Sequence, residues 1–356
     1  MASAVVESRK VYIPAKQAQE YAESLLIANE VPPDNAAIIA RCLVEADLRG
    51  VDTHGINRLP SYMKRLRQNV MNPKATPSVE IKTPVVAMVD GNNSFGFLAA
   101  TAGMEFAISA AKTYGIGMAS VKHSNHFGMG ACYAIQAARE GMMSIVLTNS
   151  SPAMAAWGSK EKIIGVSPLA CGAPGGIEKP FILDMAPSTA ARGKLYKAVR
   201  RSEKIPLDWA LDADGYQTND PAAALKGVML PMGGPKGSAL AIMMDVFSGV
   251  LSGSAFAGGV TGPYDPSKVS DVGHLMIAIK PDIFLSIDEF KDRMDFLFRK
   301  VTKSEKAPGT ERVYFPGEIE QLNQESRLET GIPYVEEEIN NLNEEARLVG
   351  SKELHV

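Results

Sequence analysis

Gly117-Met118-Ala119-Ser120-Val121-Lys122-His123-Ser124-Asn125-His126-Phe127-Gly128-Met129-Gly130 is the stretch that decides the fold. Residues 117–122 are short and mostly apolar, which reads as a buried strand. Two histidines follow in a polar loop. Glycines then open a segment, 129–140, whose composition reads as a helix, with Gly141 as its stop. The same texture extends both ways. Upstream, 79–82 and 85–89 read as strands around the turn chemistry of Asp90-Gly91-Asn92-Asn93, and 97–112 reads as an alanine-rich helix. Downstream, 143–148, 181–183 and 274–280 read as strands, with helices at 188–200, 236–251 and 287–302. Alternation at this pitch indicates an α/β domain.

The two ends differ from this middle. Pro32-Pro33-Asp34 reads as a helix start with Asp34 as N-cap. Ile38, Ile39, Cys42, Leu43 and Ala46 then form one apolar face, and Gly50 stops the helix. A second helix runs from Leu59 to about Val70 with Tyr62, Met63 and Leu66 inward, and 73–77 is a linker. In the tail, Ile319, Leu322, Asn323, Glu325, Arg327 and Leu328 recur twenty residues later as Ile339, Leu342, Asn343, Glu345, Arg347 and Leu348. We read this as two amphipathic helices of the same phase. The expected architecture is a helical domain from 1–77 and 286–356 packed on an α/β domain spanning 78–285.

The 37 basic and 40 acidic side chains nearly cancel, and no basic run with interleaved aromatics occurs, which argues against a nucleic-acid partner. No apolar stretch approaches a membrane span, and the first ten residues lack a signal-peptide core. Cys42, Cys132 and Cys171 form no C-x-x-C, which fits unpaired thiols in a reducing compartment. The expectation is a cytoplasmic protein.

Five histidines are available for chemistry. His274 opens an apolar strand and reads as structural. His123 and His126 lie where α/β proteins place ligands, and imidazole is the commonest acid/base near neutrality. A polar loop with capping roles is the alternative. His54 sits in Arg49-Gly50-Val51-Asp52-Thr53-His54-Gly55, and Arg49 suits a carboxylate held by two parallel hydrogen bonds. A helix end with a basic side chain favoured by the dipole explains the same residues. His54, His123 and His126 together would suit a zinc-dependent hydrolase, yet there is no H-E-x-x-H and no acidic residue between Lys122 and Gly130, so no metal is expected.

Gly128-Met129-Gly130 does not complete a dinucleotide fingerprint. Tyr133 stands where the third glycine belongs, and the next strand ends in Thr148-Asn149-Ser150 without an acidic ribose ligand. Gly233-Gly234-Pro235-Lys236-Gly237 is not a Walker loop, although glycines, a helix start and a lysine suit a phosphate or carboxylate. Asp184, after a strand, could orient a histidine, accept a ribose hydroxyl or cap the next helix.

Together these segments resemble the malate/L-lactate dehydrogenase family of the second, non-Rossmann type, which includes ureidoglycolate and sulfolactate dehydrogenases and cyclic ketimine reductases. The carriers are Leu48-Arg49-Gly50, Thr53-His54-Gly55, Ser124-Asn125-His126-Phe127-Gly128, Leu147-Thr148-Asn149-Ser150, Gly165-Val166-Ser167-Pro168-Leu169, Leu183-Asp184-Met185-Ala186-Pro187-Ser188 and Gly234-Pro235-Lys236-Gly237, spread over 11–350. The resemblance implies a non-Rossmann NAD(P)-binding α/β domain beside a helical domain made from both termini. It also implies a homodimer with the active site near the subunit boundary, and hydride transfer between NAD or NADP and C2 of a small 2-hydroxy or 2-oxo acid. A cyclic imino acid is the alternative substrate. His126 would be the acid/base, His54 a second polar site residue tied to Asp184, and Arg49 the carboxylate ligand. Ser150, Asp184, Met185, Ala186 and Lys236 would line the cofactor, with Pro316, Gly317 and Glu318 beside them. Two departures stand out: Ser167 replaces an asparagine, and Ala155-Ala156-Trp157-Gly158-Ser159 replaces a glycine-rich stretch.

Overall fold

The computed structural model describes residues 10–355. In chain order the N-terminal part holds β1 (Lys10–Ile13), α1 (Ala15–Ala28), α2 (Pro33–Leu48) and α3 (Leu59–Arg67). The middle holds β2 (Ser78–Thr83), β3 (Val86–Asp90), α4 (Gly96–Tyr114), β4 (Ile116–Ser124), α5 (Ala131–Arg139) and β5 (Met143–Thr148). It continues with β6 (Pro152–Met154), β7 (Ile164–Gly165), β8 (Leu169–Ala173), β9 (Phe181–Met185), α6 (Arg192–Arg201), β10 (Ala210–Leu211), α7 (Pro221–Lys226), β11 (Val228–Met229), α8 (Pro235–Asp245) and β12 (Val272–Ile279). The chain closes with α9 (Ile287–Thr302), α10 (Glu318–Thr330), β13 (Ile332–Val335) and α11 (Glu336–Val349).

The fold is mixed α/β. Its main sheet has the order β2-β3-β4-β12-β5-β8-β9, and only β3 and β4 run parallel. A doubly wound nucleotide fold needs successive parallel strands joined by crossover helices. Here β5, β8 and β9 are antiparallel neighbours instead, which is the physical reason the glycine fingerprint fails. The central strands β4 and β12 are buried on both faces, and α4 packs across them. Gly117 allows that packing, because a Cβ there would lie 2.1 Å from the Ala107 carbonyl oxygen. A smaller sheet, β10-β11-β6-β7, packs on α6 and α8 through Met154, Ile164, Leu195, Ala198, Met229 and Ala241.

The chain ends meet. β1 pairs antiparallel with β13, α1 packs on α2 and α11, and α10 packs on α2. The Tyr21 hydroxyl donates to the Leu342 carbonyl at 2.6 Å. α9 instead lies against the loop after β8, where its buried Asp295 accepts the N–H groups of Gly176, Ile177 and Glu178 at 2.8–3.0 Å.

Three local expectations are corrected. Pro32, not Asp34, is the N-cap of α2, and Asp34 lies in the first turn. The helix expected at 188–200 begins at Arg192, because Ser188 bridges to Pro231 and the Thr189 N–H donates to the Leu230 carbonyl. The helix expected at 236–251 becomes a π-helix over Val246–Val250, where the Asn149 side chain reaches Asp245 and the Ala255 carbonyl. The tail repeat forms two helices, α10 and α11, as expected, with unequal burial: Ile339 and Leu342 are buried, their counterparts Ile319 and Leu322 are exposed and half-buried, and Leu328 and Leu348 are both exposed.

Candidate active site

The end of α2 builds the first wall. Gly50 takes φ +80° just beyond the helix, and two 3₁₀ turns, Asp52–His54 and Ile56–Arg58, lead into α3. This turn is held from beneath by Asp47, which has no exposed surface. One carboxylate oxygen, Oδ2, accepts the Ile56 N–H at 2.9 Å and the Tyr334 hydroxyl at 2.8 Å. Oδ1 is buried without a partner. Gly55 passes so close that a Cβ would collide with the carboxylate, so glycine is required for contact rather than for backbone angle.

The second wall is the loop after β4. The buried Asn125 amide donates to Asn93 Oδ1 at 3.0 Å and to the Ser94 carbonyl at 2.8 Å. Gly96, at the start of α4, lets the loop descend, since a Cβ would sit 2.1 Å from the Asn125 carbonyl oxygen. The His126 ring is thereby brought to 5.4 Å from the His54 ring, nearly parallel to it.

Tyr62 of α3 holds His126, with Oη 2.7 Å from Nδ1. The Gly128 N–H points at the same nitrogen at 3.3 Å. A backbone N–H only donates, so this arrangement leaves Nδ1 as acceptor and the proton on Nε2. A phenol both donates and accepts, so rotation of the Tyr62 hydroxyl supports the other tautomer too. His126 Nε2 has no protein partner among the described residues. Burial pushes the His126 pKa well below its ordinary value, and the charges at Arg58, His54 and His274 push the same way. Burial, then Arg58, lower His54 to about 3. Both rings are neutral at pH 7.

Arg58 is the feature the sequence reading missed. Its Nε donates to the Thr53 carbonyl, and its guanidinium lies 4.6 Å from the centre of the Tyr264 ring. Nη1 is buried without any acceptor. An unpartnered buried donor costs about 1–3 kcal/mol, more when charged, so Nη1 is a donor that a further acceptor would stabilise. The available signal was spacing: Arg58 lies four residues after His54 and four before Tyr62. Tyr62 itself was read only as core.

The other expected residues divide. Arg49 is nearly buried and donates to Gln324 at 3.2 Å and to the Gly317 carbonyl at 3.4 Å, tying α2 to α10. Asp184 does not meet His54, whose Nδ1 lies 2.9 Å from Thr53 Oγ1. Asp184 accepts the Ala131 N–H at 2.8 Å and so caps α5, the helix that follows the His126 loop. Its pKa rises to about 6, desolvation outweighing backbone hydrogen bonds, although part of the residue is exposed. Met185 ends β9 and Ala186 follows it. Ser150 Oγ is buried and unpartnered behind Gly165. Lys236 is exposed in the first turn of α8, beside Gly234, against which the Trp157 ring packs. The Pro316 carbonyl accepts the Ile182 N–H, and the Glu318 carboxylate is used by Arg312 and the Phe315 N–H. Ser167, at one departure from the family pattern, is fully buried with an unpartnered hydroxyl.

His123 turns away. It takes φ +49° and pairs with Asp90 at 3.1 Å. His274 is buried between Thr148 Oγ1 at 2.7 Å and Ser124 Oγ at 2.8 Å, and it stacks on Phe127. No helix among the described residues is long and apolar enough to cross a membrane. A cavity of about 380 Å³ lined by Tyr12, Asn323, Arg327 and Pro333 contains neither histidine, and we do not place the chemistry there.

The family profile for malate/L-lactate dehydrogenases matches residues 13–343. The chain belongs to the malate/L-lactate dehydrogenase family. It is 40% identical to L-sulfolactate dehydrogenase of Methanocaldococcus jannaschii over 297 residues, 83% of this chain and 86% of that one. The solved structure of that protein superposes with a TM-score of 0.91 at 36% identity, covering 96% of this chain and 98% of that one. It is 34% identical to (2R)-3-sulfolactate dehydrogenase (NADP(+)) of Chromohalobacter salexigens, over 85% of this chain and 87% of that one. The Δ1-piperideine-2-carboxylate reductase of Pseudomonas syringae superposes with a TM-score of 0.85 at 27% identity, covering 94% of this chain and all of that one. This family member is an NAD(P)-dependent dehydrogenase.

Proposed function

We propose that the enzyme moves a hydride between nicotinamide and C2 of a small 2-hydroxy or 2-oxo acid, with His126 as acid/base. The observation that carries this is the Tyr62–His126 pair beside the unpartnered Arg58 Nη1. Arg58 takes the carboxylate role first expected of Arg49, whose guanidinium is largely occupied by Gln324 and Gly317. His54, stacked on His126, excludes water from one face of the reacting imidazole.

The residues present fit a nicotinamide dinucleotide. Ser150 offers an unpartnered hydroxyl, Asp184 an open carboxyl, and Lys236 an exposed ammonium at a helix start. Met185 and Ala186 line the same strand end, and the 316–318 segment lies beside β9. When bound, the nicotinamide supplies or accepts the hydride. In oxidation, the Nδ1–H tautomer of His126, with Nδ1 donating to the rotated Tyr62 hydroxyl, takes the substrate hydroxyl proton at Nε2. In reduction, the protonated ring returns that proton. The bound carboxylate neutralises Arg58 and so relieves one of the charges that keep His126 neutral.

The mostly antiparallel sheet supports a non-Rossmann cofactor and catalytic domain over 78–285, beside a helical domain drawn from 1–77 and 286–356. Ile242, Val246, Phe247, Val250 and Leu251, all exposed along one helical stretch, support a homodimer with the site near its boundary. We place the enzyme in the cytoplasm. A panel of 2-oxo acids, the same acids with ammonia, and cyclic ketimines, followed at the nicotinamide band with NADH and NADPH, tests the reading. Turnover of cyclic ketimines alone would move the substrate to imino acids, as the likeness to the Pseudomonas reductase allows. No turnover by a folded sample with any member would end the proposal.

A further inference from the structure

We infer that Tyr264, on the 262–268 loop, is a positioning and specificity-determining residue that holds Arg58 for the substrate's carboxylate. This rests on the proposed role of Arg58. The loop is anchored by an unusual device. Arg65, one turn beyond Tyr62 on α3, is 1% exposed, and its hydrogen bonds among the described residues go to carbonyls rather than to a carboxylate. Its guanidinium donates instead to the carbonyls of Gly262 (3.3 Å), Asp265 and Lys268 (3.0 Å). A rigid fork of donors satisfied by three carbonyls of one loop fixes that loop relative to α3.

The clamp has a consequence at the site. Arg58, the N-cap of α3, and Tyr62 and Arg65 within it lie at positions i, i+4 and i+7, along one side of that helix and its first turn. Fixing the loop to Arg65 therefore fixes Tyr264 over Arg58, 4.6 Å from the guanidinium to the ring centre. On the other side, Gly262 lies so near Ser151 that a Cβ would stand 2.8 Å from its hydroxyl. The loop thus spans from the segment after Ser150 to the cation of the site. Tyr264 is 70% exposed and contributes little to the core. Its ring covers one face of the guanidinium and leaves the edge, with the unpartnered Nη1, for a planar acid.

The test measures oxamate affinity by calorimetry, together with KM and kcat for 2-oxo acids, in wild type and in Tyr264→Ala, Tyr264→Phe and Arg65→Lys. Tyr264→Ala should weaken oxamate binding and raise KM by about threefold to tenfold, the scale of a partly exposed cation–π contact. Its kcat and thermal midpoint should stay near wild type. Tyr264→Phe should restore both constants, because the ring rather than the hydroxyl is required. Arg65→Lys, which satisfies fewer carbonyls, should reproduce the KM effect. Unchanged oxamate affinity in Tyr264→Ala, or a Phe variant as weak as Ala, overturns the inference. So does a wild type that binds no oxamate. A wild type that binds oxamate through Tyr264 but turns over no acid upholds the inference and refutes the proposed reaction; turnover with KM indifferent to Tyr264 does the reverse.

Discussion

Asp47→Asn offers a quantitative check on the structure. The Asp47 carboxyl is pushed from its ordinary 3.8 to about 7, first by burial, against the hydrogen bonds from Ile56 and Tyr334. In the unfolded chain it ionises near its ordinary value. Between those two pH values the folded protein holds a proton that the unfolded chain has released, so stability falls as pH rises. At 1.36 kcal/mol for each pH unit of displacement, full ionisation costs about 4 kcal/mol, of which about 2–3 kcal/mol falls between pH 5 and pH 8. An asparagine carbonyl in the place of Oδ2 keeps both hydrogen bonds, and its NH₂ takes the place of the unpartnered Oδ1. The variant removes the titration, and its buried NH₂ adds a cost that does not depend on pH. The half-buried His54 and the buried His274, both lowered to about 3, act oppositely and destabilise the fold as pH falls below the ordinary histidine value. Wild type alone mixes these slopes, while the difference between the two proteins isolates Asp47. Urea unfolding at several pH values is the assay. Asp47→Asn should gain about 2–3 kcal/mol over wild type from pH 5 to pH 8. A constant difference across that range would refute the reasoning.

Three further outcomes follow from the site. His126→Ala should lower kcat by about 10²–10⁴-fold while leaving NAD(P)H binding near wild type, measured by nicotinamide fluorescence; near-normal turnover removes His126 from the chemistry. Arg58→Met should raise KM for carboxylates steeply and, by deleting a positive charge beside His126, move the acid limb of kcat/KM for alcohol oxidation to higher pH; an unmoved limb would separate Arg58 from the imidazole. Tyr62→Phe removes the Nδ1 partner and should lower kcat more than it raises KM; a pure KM effect would assign Tyr62 to binding.

Local pattern was enough for most elements. The strand at 143–148 and the helix at 287–302 appear with the expected limits, because each is a run whose apolar spacing has one reading. The order and spacing of short segments around Arg49, His126, Asp184 and Lys236 also carried the family. Only the tertiary structure decided which cation faces the imidazole. Arg49 and Arg58 flank the same glycine-bounded turn, and composition does not rank them. The difference is made by groups distant in sequence: Gln324 and Gly317 take both terminal nitrogens of Arg49 and leave only its Nε bare, whereas Arg58 stacks on Tyr264 and keeps a terminal nitrogen, Nη1, bare. Strand direction was likewise hidden, because a buried strand has the same apolar run whether its neighbour is parallel or antiparallel. A sequence specifies what each segment prefers by itself; which polar atoms remain unpaired is settled when distant segments close around them.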